Sequence, residues 1–327
     1  MNSSGNTKSA TRRLKIVFMG SPEFAVPSLD ALVQGGYEIS AIVTAADKPS
    51  GRGMQLNESA IKKYALKNNL NILQPVNLKN PAFIEQLKAL RADLNVVVAF
   101  RMLPESVWSI PPKGTINLHA SLLPDYRGAA PINWVIINGE KETGVTTFRI
   151  QKEIDTGEIY LQKKISIRED ETAGELHDQM KLIGADLLLE TVQGIESGQL
   201  KSAAQPDQGL HASGNQKIQF KAAPKIFSET CRIDWNQPVH SIYNLVRGLS
   251  PTPAAFTQIE GKILKIYRVK IENVRPNLAA GHYQTDGKTF LKFAGADGWL
   301  HCLEIQMEGK KKMLIEDFLR GYRFSTA

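Results

Sequence analysis

Apolar runs of strand length alternate with segments of helical periodicity through the first third of this chain. The strand patterns lie at residues 14–19, 39–44, 71–74, 94–100 and 115–119, and the helical patterns lie at residues 28–35, 59–68 and 81–92. Because strands joined through helices run parallel in one sheet, this order predicts an α/β fold with a parallel sheet and helices on both faces. The stretch Val96-Val97-Val98-Ala99 is apolar on both sides, which is typical of a buried central strand.

The last of these strand patterns ends in two polar residues, Asn117 and His119. Residues two apart on a strand point to the same face, and ligands of open α/β sheets bind at the carboxyl ends of the strands. An amide and an imidazole side by side can hold a carbonyl oxygen while it gains negative charge. A carboxylate from a separate loop, Asp155, can orient the imidazole and steer protons. With no activated Ser, Cys or Lys beside them, this set suits direct transfer of an acyl group.

Other features of the sequence disfavour several classes of protein. The turn after the first strand has a single glycine, Gly20, so the dinucleotide fingerprint of dehydrogenases is missing. No apolar run approaches the roughly 20 residues of a membrane helix, and we expect no membrane partner. Cys231 and Cys302 form neither a disulfide scaffold nor a metal site, which fits a reducing cytoplasm. The polar residues 1–13 predict a disordered tail and no secretory signal.

The pattern changes after residue 200. Residues 201–217 are rich in Ala, Gln, Gly, Pro and Ser and predict a linker between a domain at 14–200 and a second domain at 218–327. Short strands separated by Glu260-Gly261, Asp286-Gly287 and Asp297-Gly298 predict a small β-barrel in the second domain. Residues 215–327 hold 17 Lys and Arg against 10 Asp and Glu, and this excess equals the net charge of +7. A polyanionic partner or a partnerless basic surface explains this excess.

Several motifs resemble those of the folate-dependent formyltransferases. The central ones are Asn117-x-His119, Ser121-Leu122-Leu123-Pro124, Arg127-Gly128-Ala129-Ala130-Pro131 and Asp155-Thr156-Gly157. The chain length, Gly20-Ser21-Pro22-Glu23-Phe24 and Arg232-Ile233-Asp234-Trp235 resemble the branch whose acceptor is methionyl initiator tRNA. The resemblance implies a Rossmann-like catalytic domain, then an OB-like barrel that binds tRNA.

The resemblance also implies an activity. The formyl group of 10-formyltetrahydrofolate, a co-substrate, passes to the α-amino group of methionyl initiator tRNA for translation initiation. Asn117 and His119 polarise the formyl carbonyl, while Asp155 fixes the state of the imidazole and relays a proton. The implied folate pocket is walled by Ser121, Leu122, Leu123, Pro124, Val96, Val98 and Phe100. No metal is implied, and we expect a monomer.

The contacts to tRNA are expected from basic residues in two regions. Arg52, flanked by Gly51 and Gly53, matches the arginine with which these enzymes enter the acceptor stem. The other candidates are Lys48, Lys62, Lys310, Lys311 and Lys312. A mobile loop and merely solvated lysines are the alternative interpretations. One departure from the family pattern is Arg101, which stands where most relatives have glycine, and it predicts a different entrance to the folate pocket.

Three other functions are compatible with parts of the sequence. The same chemistry can act on a nucleotide-sugar or another small amine such as glycinamide ribonucleotide, and a hydrolase can act on the same folate. An RNA-binding protein without catalysis is the alternative from another class. The basic second part and the Arg52 loop disfavour a small amine, and Asn117, His119 and Asp155 disfavour an idle protein.

Overall fold

The structure is a computed structural model in which residues 13–50, 55–206 and 220–324 are described. Arg52, nearly all of the predicted tail and most of the predicted linker lie outside the described residues. The strands up to residue 206 are β1 (Lys15–Gly20), β2 (Glu38–Val43), β3 (Lys48–Ser50), β4 (Gln55–Asn57), β5 (Ile72–Leu73), β6 (Leu94–Val98), β7 (Thr115–His119), β8 (Arg127–Gly128), β9 (Glu142–Arg149) and β10 (Ile159–Ser166). The helices there are α1 (Val26–Gln34), α2 (Ala60–Lys67), α3 (Pro81–Ala89), α4 (Glu105–Trp108), α5 (Pro131–Ile137) and α6 (Ala173–Ser197).

A seven-stranded sheet has the order β10-β9-β7-β6-β1-β2-β5. The five strands from β7 to β5 are parallel, which confirms the predicted parallel sheet. Strand β9 runs antiparallel to β7, an arrangement common at the edge of otherwise parallel sheets. Strand β6 lies in the middle of this order and all of its residues are buried, as its apolar sequence predicts. β3 and β4 form a separate antiparallel hairpin that the sequence did not indicate.

Helices α2 and α3 each begin after a residue whose side chain accepts from one of the first backbone N–H groups. The Ser59 hydroxyl accepts from the Lys62 N–H at the start of α2, and the Asn80 amide oxygen accepts from the Ala82 N–H before α3. The buried face of α3 then packs on the sheet. The hydrophobic core between α3 and the sheet contains Val17, Met19, Val43, Leu73, Phe83, Leu87 and Val97. The parallel strands consequently end along one edge, where β7 presents its last residue, His119.

The second part of the chain contains a different sheet. The strands of this part are β11 (Ala222–Ala223), β12 (Ala255–Ile259), β13 (Lys262–Glu272), β14 (Tyr283–Thr285), β15 (Leu291–Ala294), β16 (Trp299–Met307) and β17 (Met313–Leu314), and its helices are α7 (Ser228–Cys231), α8 (Val239–Leu249) and α9 (Ile315–Gly321). Strand β11 pairs with β8 and does not belong to this sheet. The antiparallel order is β12-β13-β16-β15-β14, with β17 also on β16. Glu260 and Gly261 have φ of +49° and +73° in the predicted two-residue turn between β12 and β13.

Contacts between residues divide the chain into two compact units. The first comprises residues up to His119, Thr146–Gln162 and Lys181–Gln205, and the second comprises Ala120–Val145, Lys163–Met180 and the rest of the chain. Residues 120–145 group with the second unit because α5 packs closely on α8. A side chain at Gly248 of α8 would meet the Ile137 Cγ1 atom at 2.6 Å. The two units defined by contacts therefore differ from the domains at 14–200 and 218–327 that the sequence predicts.

Candidate active site

The candidate catalytic residues Asn117, His119 and Asp155 all lie in the first unit. Strand β7 carries Asn117 and His119 at alternate positions, so their side chains lie on the same face of the sheet. In the register of the sheet, Asn117 is paired with Val97 of β6, and His119 with Thr146 of β9. Asn117 is half-buried, whereas His119 is only 6% exposed.

Asp155 approaches His119 from the loop between β9 and β10. The His119 Nδ1 atom lies 3.8 Å from the Asp155 Oδ2 atom, and both side chains are largely buried. The imidazole also forms a T-shaped pair with the Phe148 ring, with the ring centroids 6.4 Å apart and the planes at 84°. The imidazole is thus bounded by a carboxylate and an aromatic ring, which limits its orientation.

The Asp155 loop returns against β9 with very little room. At Gly157, an added Cβ atom would lie 1.6 Å from the carbonyl oxygen of Arg149, so only glycine fits. Asp155 itself has φ of +54°, a left-handed conformation that is uncommon for a residue with a side chain. The Asp-Thr-Gly sequence therefore reflects a tight backbone path as well as a carboxylate.

The candidate folate residues occupy two different settings. The side chains of Val96 and Val98 are fully buried, so these two residues can offer only backbone groups to a ligand. Phe100 is half-buried and packs on the core of the first unit. Ser121, Leu122, Leu123 and Pro124 belong to the second unit. There the Ser121 hydroxyl donates to the Asp125 carbonyl at 2.6 Å, and Leu123 is buried.

Arg101 connects two loops at the carboxyl edge of the parallel strands. Its guanidinium donates to the carbonyl of Val76 at 2.9 Å and to that of Pro75, and it lies 5.6 Å from the centroid of the Phe100 ring. The sequence identified Arg101 only as a departure from the family pattern. Its partners lie 25 and 26 residues away, so the sequence carried no signal for them.

Of the candidate basic residues near this edge, Lys62 is engaged by carboxylates. Its ammonium donates to Asp47 and lies 3.0 Å from a carboxylate oxygen of Glu58, and its side chain is 16% exposed. The hydrogen bonds that Lys62 donates to Asp47 and then to Glu58 raise its pKa. Lys62 therefore braces Asp47, one residue before the β3–β4 hairpin. Lys48 is the first residue of β3 and pairs with Asn57 across this hairpin.

The three candidate lysines of the second unit lie between β16 and β17. Lys310, Lys311 and Lys312 are all exposed. Lys312 lies 3.1 Å from a carboxylate oxygen of Glu304 and 5.1 Å from the centroid of the Tyr267 ring. Lys310 and Lys311 thus present the less encumbered charges of this run.

Further observations concern the predictions about metal ligands, membrane helices and the two cysteines. Within residues 13–50, 55–206 and 220–324, no three His, Cys, Asp or Glu side chains are grouped as metal ligands would be, and no helix is long and apolar enough to cross a membrane. Cys231 and Cys302 are free and buried, and burial raises the pKa of both thiols.

Two family models match the chain. The formyl transferase model covers residues 14–192, and the model of the formyl transferase C-terminal domain covers residues 225–323. The chain belongs to the formyl transferase family. The family and the two sheets confirm the predicted α/β catalytic fold followed by a barrel-like antiparallel domain, while the OB-like connectivity stays a prediction.

Relatives of nearly full length place the chain more narrowly. It is 47% identical over 317 residues to the methionyl-tRNA formyltransferase of Bacteroides thetaiotaomicron, covering 95% of this chain and 97% of that protein. It is 50% identical over 316 residues to the Parabacteroides distasonis methionyl-tRNA formyltransferase, covering 95% and 96%. Within its family, the chain groups with the methionyl-tRNA formyltransferases.

A solved structure shares the fold at much lower identity. The N-formyltransferase from Helicobacter canadensis, in complex with folinic acid and dTDP-3-aminofucose, has a TM-score of 0.64 and 19% identity. The match covers 88% of this chain and 98% of that chain.

Proposed function

We propose that this protein transfers the formyl group of 10-formyltetrahydrofolate to the α-amino group of methionyl initiator tRNA. The observation that carries the proposal is the near full-length identity of 47% and 50% to methionyl-tRNA formyltransferases. The placement of Asn117, His119 and Asp155 in one unit, at the carboxyl edge of the parallel strands, supports the chemistry.

The reaction replaces one carbon–nitrogen bond by another. The neutral amine of the methionyl group attacks the formyl carbon, and the carbonyl oxygen becomes an oxyanion in the tetrahedral intermediate. Asn117 and His119 stabilise this oxyanion by hydrogen bonds that strengthen as charge develops. The bond from carbon to the folate nitrogen then breaks, and the carbonyl forms again.

The reaction also moves one proton. The attacking amine loses a proton, and the departing folate nitrogen gains one. Asp155 orients the His119 imidazole across the 3.8 Å separation and assists that transfer. Ser121, Leu122, Leu123, Pro124 and the backbone of Val96, Val98 and Phe100 hold the folate in this proposal.

Recognition of the tRNA is assigned to basic residues. Arg52 and Lys48 follow β2 in the sequence, and Lys310, Lys311 and Lys312 belong to the basic second part. Lys62 extends this basic region, and it also donates a hydrogen bond to Asp47, beside β3. The protein is expected to act as a monomer in the cytoplasm and to need no metal.

The competing function is formylation of a small amine, such as the amino sugar named with the Helicobacter canadensis structure. The decisive experiment offers the purified protein 10-formyltetrahydrofolate with charged initiator tRNA, charged elongator tRNA or a dTDP-amino sugar. We expect formyl-methionyl initiator tRNA to be the main product. Preferential formylation of the sugar, or release of formate without an acceptor, would overturn the proposal.

A further inference from the structure

Gln205 makes a double contact with the loop that carries Asp155. Its side-chain amide nitrogen donates to the carbonyl of Asp155 at 2.9 Å and to that of Gly157 at 2.8 Å. We propose that Gln205 is a positioning residue that holds the Asp155 carboxylate toward His119. This inference rests on the proposed function, in which Asp155 orients the imidazole.

The loop has a physical need for such a brace. Asp155 adopts φ of +54°, a conformation that costs an L-residue free energy and that contacts with its surroundings can stabilise. The two carbonyls to which the Gln205 amide donates flank Thr156, so one side chain holds both ends of the left-handed turn. Because the backbone of Asp155 sets where its Cβ atom lies, fixing the turn fixes the point from which the carboxylate extends toward His119.

Gln205 is itself held in place by the segment after α6. The backbones of Ala203 and Ile159 exchange two hydrogen bonds of 2.8 Å, and the Ser202 hydroxyl donates to the Glu158 carboxylate. Residues 202–205 therefore dock beside the start of β10 and bring Gln205 to the Asp155 loop. This segment lies in the predicted linker, and its docking gives that part of the linker a role in the catalytic unit.

Gln205 acts through Asp155 in this proposal, so its effect should disappear when Asp155 cannot act. We expect Gln205→Ala to lower kcat roughly tenfold to hundredfold, with the KM of folate and of tRNA nearly unchanged, since a small misplacement of a catalytic group has effects of this size. In an Asp155→Asn background, the same Gln205→Ala change should lower kcat no further. Gln205→Glu keeps the size but cannot donate, and should resemble Gln205→Ala.

Ser197→Ala, at the end of α6, is the matched control, because it removes another side-chain hydrogen bond to a backbone carbonyl, that of Gly194, and leaves the contacts of residues 202–205 intact. We expect its kcat to stay within about twofold of wild type. Amide hydrogen exchange at residues 155–157 provides a measurement that needs no turnover, and Gln205→Ala should accelerate it selectively. Unchanged exchange, a wild-type kcat, or equal losses with and without Asp155 would each overturn the proposal. The wild type could fail to formylate charged tRNA while Gln205→Ala still accelerates amide exchange at residues 155–157. That result would overturn the proposed function but would support the positioning of the Asp155 loop by Gln205.

Discussion

Asn117 and His119 are expected to act mainly on the transition state, because the oxyanion exists only there. Asn117→Ala and His119→Ala should each lower kcat by roughly 10²–10³-fold, with little change in folate binding. Single-turnover formylation together with a folate binding titration measures the two effects separately. Near-normal turnover in either variant would remove these residues from the oxyanion site.

Asp155 contributes charge at the same site. Asp155→Asn keeps the size of the side chain and removes the negative charge that faces His119 at 3.8 Å. We expect kcat to fall by on the order of 10²-fold while both substrates still bind, since one general acid–base group contributes about this much. The measurement is kcat as a function of pH. A profile that coincides with wild type in height and shape would contradict a proton-handling role.

At the scale of single residues, the sequence could predict some site residues and not others. Asn117 and His119 followed from the two-residue period of a strand, and Asp155 from its motif. Gln205 could not be predicted, because its segment has no periodicity and its partners lie 48 and 50 residues away. Every residue has a backbone carbonyl, so a side chain that donates to carbonyls does not require a particular residue type in its partners. The sequence therefore shows no matching pair.

At the scale of elements, Arg101 links the end of β6 to the loop after β5. Arg101→Ala removes two hydrogen bonds to the carbonyls of Pro75 and Val76, and Arg101→Lys removes the fork geometry that allows both. We expect each variant to lower the free energy of unfolding by about 1 kcal/mol, since these bonds are charge-assisted but exposed. Denaturant unfolding measures this loss. An equal loss in Lys79→Ala, an exposed cation nearby, would show that general charge is responsible.

In the antiparallel sheet, a charged cluster links three neighbouring strands. The Glu272 carboxylate of β13 accepts from Lys292 of β15 at 2.8 Å and contacts His301 of β16 at 2.6 Å. Hydrogen bonds from Lys292 and then His301 lower the pKa of Glu272 below its ordinary 4.5. Because the pKa is lowered in the folded state, this stabilisation is present above pH 4.5 and is lost as the pH falls further.

Glu272→Gln should therefore destabilise the protein at neutral pH by on the order of 0.5–1 kcal/mol, the range of partly exposed ion pairs. The difference from wild type should shrink as the pH falls below 4.5. Urea unfolding at several pH values measures it, with Glu316→Gln at an exposed position of α9 as the control. A difference that is constant with pH would contradict a stabilising role for the ionised carboxylate.

The sequence predicted where the helices and strands lie more closely than it predicted where they end. Strand β7 has the predicted bounds, residues 115–119. The strand predicted at residues 94–100 ends at Val98, because Ala99 turns to φ of +48°. Such a turn at alanine has no local signal, since alanine favours other conformations. The short helices α4 and α5 also lack the length at which periodicity becomes informative.

At the scale of the whole molecule, contacts change which experiment can test the role of the basic second part. Removing residues from 215 onward would take away partners of α5, since the Asn133 amide donates to Gly248 and the Trp134 indole donates to Pro224. The sequence boundary could not show this, because composition reports where a chain is polar and not what packs on it. Neutralising surface lysines leaves these contacts intact and is the cleaner test.

The last prediction uses the exposed lysines between β16 and β17. Each phosphate contact that a cation makes releases counterions, so the logarithm of affinity falls linearly with the logarithm of salt concentration. Changing Lys310, Lys311 and Lys312 together to Gln should reduce this slope by about 2 units, because Lys312 already lies 3.1 Å from Glu304 and contributes less. Folate binding should stay unchanged. Binding titrations of charged tRNA at several salt concentrations measure the slope.

A matched triple variant makes the same change in net charge elsewhere. Lys67, Lys88 and Lys113 are exposed and precede β5, β6 and β7, so they lie at the amino edge of the parallel strands, opposite the candidate site. Their replacement by Gln should leave the slope nearly unchanged if tRNA contacts the lysines between β16 and β17. Equal reductions in both triple variants would mean that only total charge matters. No reduction in either would mean that the excess of positive charge in residues 215–327 is a partnerless basic surface.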